Sequence, residues 1–353
     1  MKLKQKLVFE IDRLRRENLK ELHPLRQLFW ECTLRCNLHC LHCGSDCKNI
    51  ATTPDMPAED FLKAVDQVLP HVDPHKLMVI ISGGEPLVRK DLEEVGRELH
   101  RREMPWGMVS NGLLLTPERL QSLMAAGLTA MTISLDGMEE DHNWMRGNPA
   151  SFQCALRAIS LLSQTRLAWD VVTCVNRRNV KYLPELRQLL IEVGVKHWRL
   201  FTIFPVGRAK EHPDLQLPDD DFRYLLDFIA ENRKQPDNPI ELQFACEGFL
   251  GDYEGKVRNN LYQCHAGITV ASVLIDGSIS ACTSIRSKFY QGNIYQDNLW
   301  EVWENRFENY RNRSWAKQGE CADCDMFRYC EGNGMHLHDG EGKLLLCHLK
   351  RLK

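Results

Sequence analysis

An alternation of two periodicities constrains this chain most. Short apolar or β-branched runs recur at Leu28–Cys32, Leu77–Ser82, Trp106–Ser110, Ala130–Leu135, Trp169–Val175 and His197–Ile203, each of strand length. Between them, Ala58–Leu69, Leu92–His100, Pro117–Ala126, Phe152–Leu162 and Leu183–Val193 space their apolar residues for one face of a helix. Some open with start signals: at Thr116-Pro117-Glu118 a hydroxyl can cap the first turn and proline fits the first helical position. Parallel neighbours need a crossover of about a dozen residues or more, usually helical. Six such units over roughly residues 28–210 therefore predict an α/β fold on a parallel sheet, open or closing towards a barrel.

The unusual residues come just after these strands. Cysteines follow the first, GGEP (Gly83–Pro86) the second, Ser110-Asn111-Gly112 the third, Ser134-Leu135-Asp136-Gly137 the fourth, Asn176 the fifth and PVGRA (Pro205–Ala209) the sixth. Any one of these alone reads as an ordinary turn. Their common phase places all six on the rim where parallel α/β folds bind ligands.

At 353 residues and 43% hydrophobic content the chain can bury a large core and divide into two or three domains. Acids and bases are interspersed, with a net charge of -3, so no basic footprint for nucleic acid is present. The N-terminal stretch MKLKQKLVFEIDRLRRENLKELHPL carries charge throughout and contains neither a signal-peptide core nor a bilayer-spanning run. The expectation is a cytoplasmic protein with no membrane span. In a reducing compartment its fourteen cysteines point to metal or catalytic use rather than disulfides.

Within ECTLRCNLHCLHCGSDC, Cys36, Cys40 and Cys43 form CxxxCxxC. Structural zinc usually takes four ligands, and this local triplet supplies three. Iron-sulfur cubanes are also held by thiolates, and three cysteines leave one iron open. Cys32 and Cys47 fall outside the triplet and read as a small apolar strand residue and a loop thiol; Cys154 and Cys174 fit a helix and a strand interior.

CxxxCxxC after the first strand, GGEP after the second, and the SNG and SLDG turns together resemble the radical S-adenosylmethionine (SAM) superfamily. The resemblance implies a partial (β/α)6 TIM-type barrel in which Cys36, Cys40 and Cys43 hold a 4Fe-4S cluster whose open iron binds SAM. One-electron cleavage of SAM then gives a 5'-deoxyadenosyl radical that takes a hydrogen from substrate, with an electron donor such as flavodoxin or ferredoxin. Carried over position by position, Gly83, Gly84 and Glu85 would meet the methionine amino group, Ser134 and Asp136 the ribose or carboxylate, and Asn111 and Asn176 the remaining polar wall. His42 would lie near adenine, and Arg208 is a further candidate.

Beyond Asp214 the character changes. A helical stretch, Asp219–Asn232, leads to a polar, proline-containing linker (Arg233–Pro239) and then to Cys246, Cys264, Cys282, Cys321, Cys324, Cys330 and Cys347. VLIDGSISAC reads as a hairpin around Asp276-Gly277. Taken alone, CADCDMFRYC would suggest zinc. With the first half of the chain it resembles the SPASM domain, a small cysteine-rich module with a β-hairpin and short helices that holds auxiliary 4Fe-4S clusters. The implied organisation is an N-terminal helical extension (1–27), a radical SAM core (28–212), a helical linker (213–243) and a SPASM domain (244–353). Cys321, Cys324, Cys330 and Cys347 complete one auxiliary cluster. A second would use Cys246, Cys264 and Cys282, but where the family pattern has its crossing cysteine this chain has Gly334, leaving that site open or bound by His336 or His338.

The family's link to peptide and protein modification makes an unidentified peptide or protein the expected substrate, with a small molecule of cofactor biosynthesis as the alternative. Sulfatase maturation fits less well: those enzymes carry aspartate after the second hairpin cysteine, and here Thr283 follows Cys282, a hydroxyl poorly suited as a base at neutral pH. A non-catalytic iron-sulfur electron carrier would have no use for GGEP or for an open-iron triplet.

Overall fold

The computed structural model describes residues 3–245, 247–285 and 289–353. Helix α1 (Leu3–Leu22) precedes the series β1 (Gln27–Thr33), α2 (Ala58–Val68), β2 (Met78–Gly83), α3 (Leu92–Arg101), β3 (Trp106–Ser110), α4 (Pro117–Ala125) and β4 (Leu128–Ser134). Helices α5 (Glu139–Arg146) and α6 (Ser151–Ser163) follow, then β5 (Ala168–Val175), α7 (Leu183–Glu192), β6 (His197–Thr202), α8 (Asp219–Arg233) and β7 (Glu241–Phe244). The remainder holds β8 (Val270–Val273), β9 (Ser278–Ser280), β10 (Gly292–Asn293) and the short helices α9 (Leu299–Asn305), α10 (Glu308–Arg311) and α11 (Phe327–Cys330).

The ten strands among the described residues join one sheet in the order β10-β9-β8-β1-β2-β3-β4-β5-β6-β7. Strands β1 to β7 pair in parallel, each with the next. The outer face is apolar and covered by helices: Val79 and Ile81 are fully buried, as are Leu92, Val95 and Leu99 of α3, spaced for one helical face. Residues of opposite phase, such as Met78 and Ile80, are only half-buried because they face the lumen of the curved sheet.

The structure differs from the sequence reading in three places. A seventh parallel strand, β7, adds to β6 where only a linker was read; at four residues it is too short to show a period. Strand β8 of the expected hairpin pairs in parallel with β1, so one sheet runs from the barrel into the C-terminal region. The segment EEDHNWMR forms α5, a polar helix that buries Asp141, His142, Met145 and Arg146. Its buried face is itself polar, so hydrophobic periodicity could not reveal it.

Candidate active site

The first cysteine loop leaves β1 and is pinned at both ends. Lys48 N–H donates to the Leu34 carbonyl at 3.3 Å, and Cys36 N–H donates to the Lys48 carbonyl at 2.8 Å. The GGEP strand end packs directly against it: Gly84 N–H donates to the Thr33 carbonyl at 2.7 Å and Glu85 N–H to the Arg35 carbonyl at 3.0 Å. A Cβ on Gly83 would stand 2.3 Å from the Thr33 oxygen and one on Gly84 2.1 Å from the Arg35 oxygen, so both positions require glycine.

The three triplet thiols sit on one loop and act on one another. Burial pushes Cys36 up to about 12, and the neighbouring Cys40 and Cys43 sulfurs add to the shift. Burial also raises Cys40, against the pull of Arg146, whose Nη1 lies 3.6 Å from its sulfur. Cys43 is the exception: a hydrogen bond from the Cys47 side chain, together with backbone donors, brings it down to about 5 despite burial. The Cys47 N–H donates to Cys43 Sγ at 3.4 Å. Thiols buried or half-buried on one loop, which raise one another and cannot all ionise alone, suit a polynuclear cation, whose charge would deprotonate them. This donor set fits a 4Fe-4S cluster with three thiolate ligands.

Around the triplet stand the polar residues of the rim. Asn111 is buried; its Nδ2 donates to Asn37 Oδ1 at 2.8 Å and lies 4.0 Å from Cys36 Sγ. Ser134 ends β4 on the lumen side, half-buried. Asp136 is 1% exposed and lies 2.6 Å from Arg146 Nη2 and 3.6 Å from His42 Nε2. Its Oδ1 accepts from the Cys174 N–H at 2.9 Å, and its own N–H donates to His142 Nδ1 at 2.9 Å. Burial lowers His42 and takes His142 down to about 3, so both imidazoles are neutral at pH 7. His42, Asp136 and Cys174 bring one ligand atom each to within 4.8 Å of one another, so Cys174 faces the site although its strand position reads as interior. Arg146 and His142, both on α5, are the residues that sequence reasoning missed.

Three candidates turn out to be internally committed. The Glu85 carboxylate accepts from the Leu87 amide (3.1 Å), the Asn111 amide (2.8 Å) and the Ser110 hydroxyl (2.8 Å), and at 1% exposure it is a corner brace with no face for a ligand. Buried Arg208 donates to the carbonyls of Cys40 (3.0 Å) and Cys47 (2.8 Å), so it ties down the cysteine loop from beneath. Asn176 is buried and turns on itself: Nδ2 donates to the Cys174 carbonyl at 3.3 Å and Oδ1 accepts from the Arg178 amide at 2.9 Å.

The second thiol group lies in the C-terminal region. Burial raises Cys321 to about 11 and Cys330 to about 12; Cys347 adds to both shifts, and Cys324 acts on Cys321 and Cys347. These four thiols share one locale and fit a complete 4Fe-4S ligand set. Burial raises the Tyr310 hydroxyl, and the Cys282 and Cys264 sulfurs add to the shift. Cys246 lies outside the described residues. At Gly334 a Cβ would lie 2.6 Å from His336 Cε1 and 2.7 Å from the Glu247 carbonyl oxygen, so the imidazole fills the place of the missing side chain. Burial lowers His336 and His338 to about 4. The His338 Nδ1 lies 3.2 Å from the Gly334 carbonyl, and Nε2 has no hydrogen-bond partner among the described residues.

A parallel partial barrel with a cysteine triplet on its ligand-binding rim, followed by a second thiol cluster, defines an iron-sulfur enzyme of the radical SAM class. Residues 30–190 match the radical SAM superfamily and residues 264–325 the SPASM iron-sulfur cluster-binding domain. The chain is a radical SAM enzyme with a C-terminal SPASM domain, and 4Fe-4S clusters and SAM are its cofactors. It is 27% identical over 325 residues to an AdoMet-dependent heme synthase of Methanosarcina barkeri, covering 87% of this chain and 90% of that one. It is 29% identical over 319 residues to the mycofactocin maturase MftC of Mycolicibacterium smegmatis, covering 87% and 77%. Among solved structures, AdoMet-bound anSMEcpe aligns with a TM-score of 0.72 at 21% identity, covering 93% of this chain and 94% of that one. That likeness supports the fold. No helix among the described residues is long and apolar enough to cross a membrane.

Proposed function

We propose that Cys36, Cys40 and Cys43 hold the SAM-binding 4Fe-4S cluster and that the enzyme modifies a peptide or protein. The observation that supports the site assignment is the placing of Asn111 beside Cys36 and of the Arg146 guanidinium between Cys40 and Asp136, on the rim that carries the cysteine loop. When bound, SAM and the reduced cluster supply a 5'-deoxyadenosyl radical. The chain's own residues do the rest. Gly83 and Gly84 bring backbone close enough to meet the amino group of SAM. Arg208 and the Thr33–Arg35 carbonyl contacts fix the cysteine loop. Asp136, Arg146, His42 and Ser134 form a polar, largely dry wall for the ribose and carboxylate, and Asn111 closes it beside Cys36. A preformed wall of this kind orients the cofactor and keeps water from the radical.

The peptide reading is supported by similarity to a mycofactocin maturase and by the fold shared with SuiB, solved with precursor peptide SuiA at a TM-score of 0.69. The second reading is a small molecule, favoured by the heme synthase relative, 90% of whose length aligns with this chain. A cavity of about 600 Å³ opens between Met78, Thr132, Asp170, Arg199 and Gln243, away from the cysteines, and we assign it no part in the chemistry. Anaerobically reconstituted protein with dithionite and SAM should form 5'-deoxyadenosine without substrate, and Cys40→Ala should abolish it. An unchanged rate after replacing Cys36, Cys40 and Cys43 together sinks the cluster assignment. Substrate follows from parallel incubations with small peptides encoded beside the gene and with an iron tetrapyrrole. A mass change only in the tetrapyrrole overturns the peptide reading.

A further inference from the structure

Helix α11 runs into three consecutive residues of left-handed backbone, Glu331 (φ 52°), Gly332 (φ 77°) and Asn333 (φ 66°). Residues other than glycine seldom adopt this conformation, and asparagine tolerates it better than most. A helical residue followed by a left-handed one turns successive amides into a concavity of the kind that holds anions and iron-sulfur centres. Here the concavity belongs to Cys330: the Asn333 N–H donates to its sulfur at 3.3 Å. Burial raises that thiol, and the Asn333 and Gly332 amides pull against it.

The Asn333 side chain is 1% exposed. Its Oδ1 accepts from the Phe249 amide at 2.9 Å, which fixes the carbonyl end, and the Cys330 thiol lies 3.4 Å from the same oxygen. The donor end, Nδ2, has no hydrogen-bond partner among the described residues, and a buried donor is destabilising unless an acceptor reaches it. Burial raises the Cys347 thiol, while the Lys350 amide and the Asn333 side chain pull it down. We propose that Asn333 is a positioning residue for the auxiliary 4Fe-4S cluster, its N–H donating to the Cys330 sulfur and its Nδ2 to sulfur on the Cys347 side, and that it raises the reduction potential of that cluster. Donors to the sulfurs favour the reduced state, which carries the extra negative charge. The proposal rests on the reading that Cys321, Cys324, Cys330 and Cys347 are the ligands.

The loop is braced on both sides of this residue. Arg313 Nη2 donates to the Asn333 carbonyl at 3.0 Å, Arg16 Nη1 to the Tyr329 carbonyl at 2.8 Å, and Lys20 pairs with Glu331. Arg16 and Lys20 belong to α1, so the N-terminal helix helps to hold the left-handed run in shape. Outer contacts of this sort orient the groups around a metal centre and tune it.

Full-length protein with Cys36, Cys40 and Cys43 replaced by alanine, reconstituted anaerobically, reports on the auxiliary region without the first cluster. A potentiometric titration followed by electron paramagnetic resonance gives the midpoint potential of the signal that Cys324→Ala removes. Asn333→Asp keeps the shape and the acceptor for Phe249 but replaces the donor by a carboxylate oxygen. At about pH 9, chosen so that a buried carboxyl is ionised, it should shift the one-electron equilibrium about tenfold or more towards the oxidised form, a fall of about 59 mV, with iron content unchanged. Without any change at Asn333, labelling asparagine with a heavy nitrogen isotope should alter the nitrogen hyperfine coupling of the reduced signal. A potential that is unmoved or raised, or a coupling indifferent to the label, overturns the proposal. A signal that survives Cys324→Ala overturns the ligand assignment and this proposal with it.

Discussion

Arg146 is the residue whose loss should cost the site most stability. Its guanidinium is buried, 2.6 Å from Asp136 Oδ2 and 3.6 Å from Cys40 Sγ. Burial by itself raises the Asp136 carboxyl, but the Arg146 guanidinium beside it leads the opposing pull and holds the group below its ordinary value. Arg146→Met keeps a stem of similar length and strands that carboxylate in the interior. Breaking a buried pair from one side costs about 3–5 kcal/mol. At about 2 °C per kcal/mol for a long chain, Tm should fall by about 6–10 °C at pH 8.

The pH dependence has a definite sign. In the wild type the depressed carboxyl contributes stability that is present above its unfolded value, about 3.9, and lost only as pH falls below that. In the variant, burial wins and the folded carboxyl holds its proton, so stability is lost as pH rises past about 4. The deficit should therefore be smaller at pH 5.5 than at pH 8. Adding Asp136→Asn removes the stranded charge and should restore most of the loss, since deleting both partners is far milder than deleting one. Circular dichroism melts of cluster-reconstituted, SAM-free protein at both pH values provide the measurement. A Tm within about 2 °C of wild type at pH 8, small beside the predicted drop, or a double variant no better than the single, would refute the reasoning.

Three further outcomes are expected. Glu247 is buried and accepts from the Thr202 amide and hydroxyl at the end of β6, with His348 Nε2 3.0 Å away. Glu247→Leu should cost about 3 kcal/mol or more, as charged hydrogen bonds are lost and partners left unpaired; limited proteolysis should then cut first near residue 348, and an unchanged digest would count against this anchor. Cys324→Ala in soluble protein that keeps its first cluster should reduce substrate modification and spare part of the SAM cleavage; equal loss of both would argue against separate roles for the two clusters. Iron analysis with Mössbauer spectroscopy should find about twelve iron atoms per chain if Cys264, Cys282 and a histidine hold a third 4Fe-4S cluster, and about eight otherwise. A value near eight that neither Cys264→Ala nor His336→Ala changes would leave that site without support.

What could be read locally was read from the chain alone. Strand and helix periods set out six of the seven strands β1 to β7, because burial on a sheet or a helix face imprints a repeat of two or of about 3.6 residues. The spacing of Cys36, Cys40 and Cys43 and the Gly83-Gly84 pair were also legible, because ligands to a single metal centre and a close backbone approach each call for particular residues at short range. Tertiary structure alone decided how the polar residues are spent. Asp136 and Arg146 are ten positions apart in sequence and meet only because α5 folds back across the rim. Glu85 and Arg208 looked like ligands in the sequence, yet the fold commits them to backbone groups of neighbouring loops. The pairing of β8 with β1 joins residues about 240 positions apart, and no local pattern encodes it. Periodicity records whether a side chain is buried; which charge or hydrogen-bond donor meets it there depends on chain crossings that the local sequence does not carry.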